Sequence, residues 1–190
     1  MPKARGLRCG RLHVEEFTLT SPSGHIVLVG AMGVGKTTVG ALLAVELGLP
    51  FSDSDSILSV RTGEDGAAIA GRDGVSALHD LELKLFLELA QSPKRSVIAA
   101  AASVVDFDTG RRALAENTTI WLTAPESVLT GRLGEEDHRR ETSIEERMSL
   151  ERRRQPFLQE AATFEVSTGS KRPDEIVAEL VSILSESGLD

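Results

Sequence analysis

The sequence predicts a three-layer α/β fold, with a central parallel sheet of five short strands flanked by helices on both faces. Two observations carry this. Short apolar runs alternate along the chain with longer stretches of helical period, as in successive strand–helix–strand units. The strongest run, Ile26 to Val29, leads through a glycine-rich loop directly into a helix, which places a ligand at the carboxyl edge of the sheet. The 190 residues contain no repeat and no linker that would divide them, so one domain is expected over 25–190, behind an extension at 1–24.

The elements follow in order. Ile26 to Val29 is a β-branched run that reads as a buried strand. The next helix places Val39, Leu42, Leu43 and Leu47 on one face and stops at Gly48-Leu49-Pro50. Pro50 to Asp53 reads as the tip of a second strand, with a helix from Asp55 through Ser59 and a short one over Ala67 to Ala70. Leu78, Leu81, Leu85, Leu87 and Leu89 belong to a longer helix from Val75 to Gln91. Val97 to Ala100 is a strand, Thr109 to Glu116 a helix, and Thr118 to Leu122 a strand whose Trp121 belongs to the core. Pro125 opens a helix ending near Leu133. Residues 134–142 carry no strand or helix signal, and Ser143-Ile-Glu-Glu146 fits a capping box for a helix to Ala161. Phe164 to Ser167 is the last strand, and Pro173 starts a terminal helix lined by Ile176, Val177, Leu180, Ile183 and Leu184.

Gly30-Ala-Met-Gly33-Val-Gly35-Lys36-Thr37 fits the G-x-x-x-x-G-K-[ST] phosphate-binding pattern, in the strand–loop–helix context it requires. A triphosphate is a dense negative charge that water solvates well, so a protein must offer many donors in its place. Glycines let main-chain N–H groups converge where a Cβ would obstruct, and the following helix adds unpaired N–H groups and the positive end of its dipole. Gly33, Val34, Gly35, Lys36, Thr37 and Thr38 are therefore the candidate set for a nucleoside triphosphate. Lys36 is expected to bridge the β- and γ-phosphates, and the Thr37 hydroxyl to bind Mg²⁺.

Bulk properties narrow the function. A net charge of −8 argues against a general nucleic-acid or anionic-membrane binder. No apolar run approaches the roughly 20 residues of a membrane-spanning helix. The single Cys9 suits a reducing cytoplasm. Lys3, Arg5, Arg8 and Arg11 make the first residues basic without a secretory apolar core, so the extension reads as a disordered leader, the product of an upstream start codon, or an organellar transit segment. Nothing separates a monomer from a homodimer.

Several spaced features beyond the loop resemble the shikimate kinase family, P-loop enzymes related to the nucleoside monophosphate kinases. The resemblance runs from Ile26 to Leu184. Phe51-Ser-Asp53-Ser-Asp55 is similar to the family's aspartate pair, Arg132 to its adenine-side arginine, Arg154-Gln-Pro156 to its substrate-holding segment, and Arg172-Pro173 to the loop over the adenine. The resemblance implies phosphoryl transfer from MgATP to the hydroxyl of a small polar metabolite. It implies that Asp55 orients that hydroxyl and accepts its proton, that Asp53 holds Mg²⁺ beside Thr37, and that Arg139, in a mobile lid over 134–142, steadies the transferring phosphoryl group. Either aspartate could instead cap the helix that begins there.

Two departures fall on the acceptor side. Leu78-His79-Asp80-Leu81-Glu82 keeps the family's glutamate but has His79 where an arginine grips the shikimate carboxylate, and Ala100-Ala101-Ala102 replaces three glycines. A histidine offers a carboxylate at most one hydrogen bond where arginine's fork offers two. Alanine disfavours positive φ by roughly 1–2 kcal/mol per residue and adds Cβ atoms toward the ring. The expected acceptor residues are Asp55, His79, Glu82, Ala101, Ala102 and Arg154, in a pocket less suited to a carboxylate. Three explanations remain: a paralogue acting on a cyclitol, sugar or hydroxy acid; a shikimate kinase in which Arg154 carries the carboxylate largely alone; or a nucleotide-binding regulatory protein without catalysis. Asp55, which binding alone does not need, argues against the last.

Overall fold

A computed structural model of the chain describes residues 24–133 and 144–189. Five strands, β1 (Ile26–Val29), β2 (Phe51–Asp53), β3 (Val97–Ala99), β4 (Thr118–Thr123) and β5 (Phe164–Ser167), form one sheet in the order β2-β3-β1-β4-β5. Every pairing is parallel: Leu28 lies opposite Ala99 on one side and Ile120 on the other. The connections are α1 (Lys36–Glu46), α2 (Ser54–Thr62), α3 (Gly66–Asp73), α4 (Val75–Ala90), α5 (Asp108–Ala115), α6 (Glu126–Leu133) and α7 (Ile144–Ala161), with α8 (Pro173–Glu186) last.

The central strand shows why there are three layers. All four residues of β1 are fully buried, and successive side chains of a strand point to opposite faces. Ile26 and Leu28 pack with Leu43 of α1 and with Leu180 and Leu184 of α8. Val27 and Val29 join Phe86 of α4, Leu114 of α5, Trp121 of β4 and Leu158 of α7. Burial of each such side chain stabilises the fold by about 1.5–3 kcal/mol. A smaller cluster of Leu58, Ile69 and Leu85 holds α2, α3 and α4 together.

β1 has β3 on one side and β4 on the other. The chain leaves β1 toward β2 and later crosses from β3 to β4, so the two connections diverge at the carboxyl end of β1. That divergence is the switch point at which open parallel sheets bind ligands.

The helix faces differ from expectation more than the helix positions do. Leu42 is exposed, and α1 buries Val39, Gly40, Leu43 and Ala44 instead. At 3.6 residues per turn those four form one contiguous stripe with Leu42 outside it; the small residues let the helix sit close to the sheet. In α4 the buried pair is Leu85 and Phe86, and Leu81 lies at the surface. α2 and α3 extend beyond their expected ends, and β3 is followed by a 3₁₀ turn at Ala102–Asp106 for which the sequence carries no signal.

Candidate active site

The site is assembled from the loops at the carboxyl ends of β1, β2 and β3. After β1 the backbone takes positive φ at Gly30 (140°), Gly33 (79°) and Gly35 (106°), and all positive-φ residues described are glycines. Gly30 is also pressed against β4: a Cβ there would lie 2.3 Å from the Leu122 carbonyl oxygen. Gly35 caps α1 with no side-chain bond to the helix, so the first N–H groups of α1 are available to an anion. The Lys36 ammonium donates to the Gly30 and Ala31 carbonyls at 2.8 and 3.1 Å, folded over its own loop. Desolvation lowers its pKa against the opposing fields of Asp55, Glu151, Asp53 and Glu82.

Arg132 ties this loop to the far side of the sheet. It donates to the Thr168 carbonyl at 2.8 Å and reaches the Val34 carbonyl at 3.3 Å, while the Thr168 hydroxyl donates to Val34 at 2.9 Å. Arg172 stands exposed at the start of α8; its N–H donates to the Glu175 carboxylate at 2.7 Å, and Pro173 is the first helical residue.

At the end of β2, Asp53 does two things. One carboxylate oxygen accepts the Ser56 N–H at 2.9 Å and caps α2; the other accepts the Thr37 hydroxyl at 2.6 Å. The two oxygen ligands expected for Mg²⁺ are thus adjacent, and their hard, oxygen-only chemistry fits that ion. Asp55 lies in the first turn of α2, near enough for its charge to act on both Lys36 and Glu82.

The third wall comes from α4, the 3₁₀ turn and α7. Burial pushes the Glu82 carboxyl up to about 7, although the Ser103 hydroxyl donates to it. The alanines carry no backbone strain: Ala101 has φ −60° and leads directly into the 3₁₀ turn. The expected penalty for positive φ is therefore absent, because the segment needs none. Arg154, on α7, is almost fully buried and donates from Nε to both Asp106 oxygens at 3.0 and 3.2 Å, and from Nη2 to Oδ2 at 2.6 Å. His79 Nδ1 is 3.9 Å from the same Asp106 oxygen. Burial and, next, the Arg154 charge hold its imidazole below its ordinary pKa, hence neutral at pH 7. Glu151 Oε1 lies 3.9 Å from Arg154 Nη1.

The structure thus brings Lys36, Thr37, Asp53, Asp55, His79, Glu82, Ala101, Ala102 and Arg154 to one edge of the sheet, with Gly33, Val34, Gly35 and Thr38 in the loop itself. Arg139 and the expected lid over 134–142 lie outside the described residues. Sequence reasoning missed Ser103, Asp106 and Glu151. Glu151 stands three residues before Arg154, a spacing that puts both on one helix face and could have been read; Asp106 carried no such signal.

Such a parallel sheet, with a glycine loop on its central strand and carboxylates beside it, defines a P-loop kinase of small molecules. A family model described as Shikimate kinase matches residues 32–185. The shikimate kinase of Thermodesulfovibrio yellowstonii is 35% identical over 162 residues, covering 83% of this chain and 92% of that one. That of Pseudomonas fluorescens is 32% identical over 170 residues, covering 85% and 96%. Among solved structures, shikimate kinase from Acinetobacter baumannii in complex with shikimate superposes with a TM-score of 0.81 at 25% identity, over 88% of this chain and 96% of that one. A gluconokinase from Sinorhizobium meliloti shares the fold, with a TM-score of 0.54 at 22% identity, over 87% and 93%. The chain belongs to the shikimate kinase family. It is a shikimate kinase-like, ATP-dependent enzyme that phosphorylates a hydroxyl of a small molecule. Among the described residues, no helix is long and apolar enough to cross a membrane.

Proposed function

We propose that the chain transfers the γ-phosphoryl group of MgATP to a hydroxyl of a small polar metabolite other than shikimate, a cyclitol, sugar or hydroxy acid, in the cytoplasm. The observation that carries the transfer step is the contact between Thr37 and Asp53 beside Lys36, with Asp55 in the first turn of α2. In this reading Thr37 and Asp53 hold Mg²⁺, Lys36 leaves the carbonyls of its own loop for the phosphates, and Asp55 takes the proton of the attacking hydroxyl. Arg132 and Arg172-Pro173 stand on the adenine side. His79 in place of a carboxylate-gripping arginine supports an acceptor other than shikimate.

A second reading, shikimate kinase proper, is favoured by curated relatives that carry that name and by the retained Asp55, Glu82 and Arg154. ADP release from MgATP over a panel of hydroxylated metabolites separates the two. We expect turnover that D55N and K36M abolish, with poor turnover of shikimate. Saturable shikimate turnover at a rate matching the best acceptor overturns the first reading in favour of the second. If no acceptor raises ADP release above background, the kinase reading of this site fails.

A further inference from the structure

The arginine left on the acceptor side is already holding a carboxylate. Asp106 occupies the Nε–Nη2 edge of Arg154 through three contacts between 2.6 and 3.2 Å, the geometry in which arginine takes a carboxylate ligand. Glu151 lies 3.9 Å from the remaining Nη1. His79, 3.9 Å from the Asp106 oxygen that Arg154 Nη2 holds, brings a neutral ring rather than a second guanidinium.

The surroundings point the same way. Asp53, Asp55, Glu82 and Glu151 act on Lys36, and Asp106 and Glu151 stand beside Arg154, five carboxyl groups around two cations among the described residues. An incoming carboxylate would have to displace Asp106 from Arg154 and then stand beside it. A neutral molecule bearing several hydroxyls meets no such competition, because an ionised carboxylate only accepts hydrogen bonds and a hydroxyl can donate one. The pair is also open to solvent on one side: the Asp106 side chain keeps 30% of its exposure while that of Arg154 keeps 6%. Asp106 is therefore placed where an acceptor can reach it.

We infer that Asp106 is a specificity-determining residue that fills the carboxylate-binding edge of Arg154 from within the protein, so that the acceptor is an uncharged polyol rather than a polyhydroxy acid. This rests on the kinase reading above for the reaction, but not for the binding preference.

The test uses the full chain and two readouts. In steady-state assays with MgATP, the best neutral cyclitol or sugar should exceed shikimate and gluconate in kcat/KM by at least tenfold; the reverse order overturns the inference. In calorimetric titrations without nucleotide, D106N and D106A should bind shikimate at least tenfold more tightly than the unmodified chain does. D106A strands a buried guanidinium, so its melting is followed as well. Shikimate should raise its Tm, and should fail to do so for D106A/R154M. D106N keeps the shape and one acceptor while removing the charge, and reports even if D106A does not fold. Unchanged shikimate affinity in D106N overturns the inference, and if turnover of some acceptor is seen in the same preparation the kinase reading stands alone. Tighter binding by D106N in a chain that turns over no acceptor leaves this inference standing and removes the kinase reading.

Discussion

Thr37 and Asp53 meet at 2.6 Å across the gap between the phosphate loop and the end of β2, and the second oxygen of the same carboxylate caps α2 through Ser56. One side chain thus joins helix start, strand end and loop. Either role alone would account for an aspartate here, and the two are separable because asparagine is as good a helix cap as aspartate but a poor Mg²⁺ ligand.

The expected outcome is that D53N leaves stability within about 0.5 kcal/mol of the original chain, whereas D53A loses about 1 kcal/mol with the cap. Both should reduce Mg²⁺-dependent activity by 10-fold to about 100-fold. Urea unfolding alongside a Mg²⁺ titration of the kinase rate reads both. A D53N variant as active as its parent at low Mg²⁺ would remove Asp53 from the metal site.

How much of this was legible follows from which residues advertise themselves. The loop from Gly30 to Thr37 did, because its glycines, lysine and threonine are required at fixed spacing by phosphate chemistry. So did β1, β3 and β4, since buried parallel strands read as continuous apolar runs, whereas β2 and β5 mix polar with apolar residues and carry a weaker signal. The face of α1 did not, because Gly40 and Ala44 bury by being small, which a search for large apolar residues passes over. Asp106 could not be read at all. Its partner lies 48 residues away on α7, and only the 3₁₀ turn after β3, itself unforeseen, brings the two together. The alanines at 100–102 misled for a related reason: the strain expected from losing glycines depends on a backbone conformation that this segment does not adopt.

That turn is held from behind by one glycine. A Cβ on Gly110 of α5 would lie 1.9 Å from the Val104 carbonyl oxygen, far inside contact distance, so the helix and the turn must separate to admit it. Val104 sits beside Ser103 and two residues before Asp106, so the displacement propagates to the acceptor wall and not to the phosphate loop. G110A should cost about 1–3 kcal/mol of stability. It should raise the acceptor KM several-fold and leave nucleotide affinity unchanged. A loss confined to ATP affinity would contradict this division of the site.

Glu82 supplies a pH signature. Burial raises its carboxyl to about 7 from an ordinary 4.5. Between those values the folded chain keeps a proton that the unfolded chain has released, so the Glu82 contribution to stability is fully present below pH 4.5 and falls as pH rises toward 7. Above 7 both states are ionised and the difference is constant. E82Q fixes the neutral form, so its stability relative to the original chain should climb across that window by no more than about 3 kcal/mol, less wherever water reaches the carboxyl. Glu151, whose carboxyl burial also raises, is common to both proteins and cancels in the comparison. Urea unfolding of the two at pH 4, 5, 6, 7 and 8 measures the difference directly. Two parallel curves over that range would mean that Glu82 is as ready to ionise in the fold as in water, and that the wall between α4 and the 3₁₀ turn does not desolvate it.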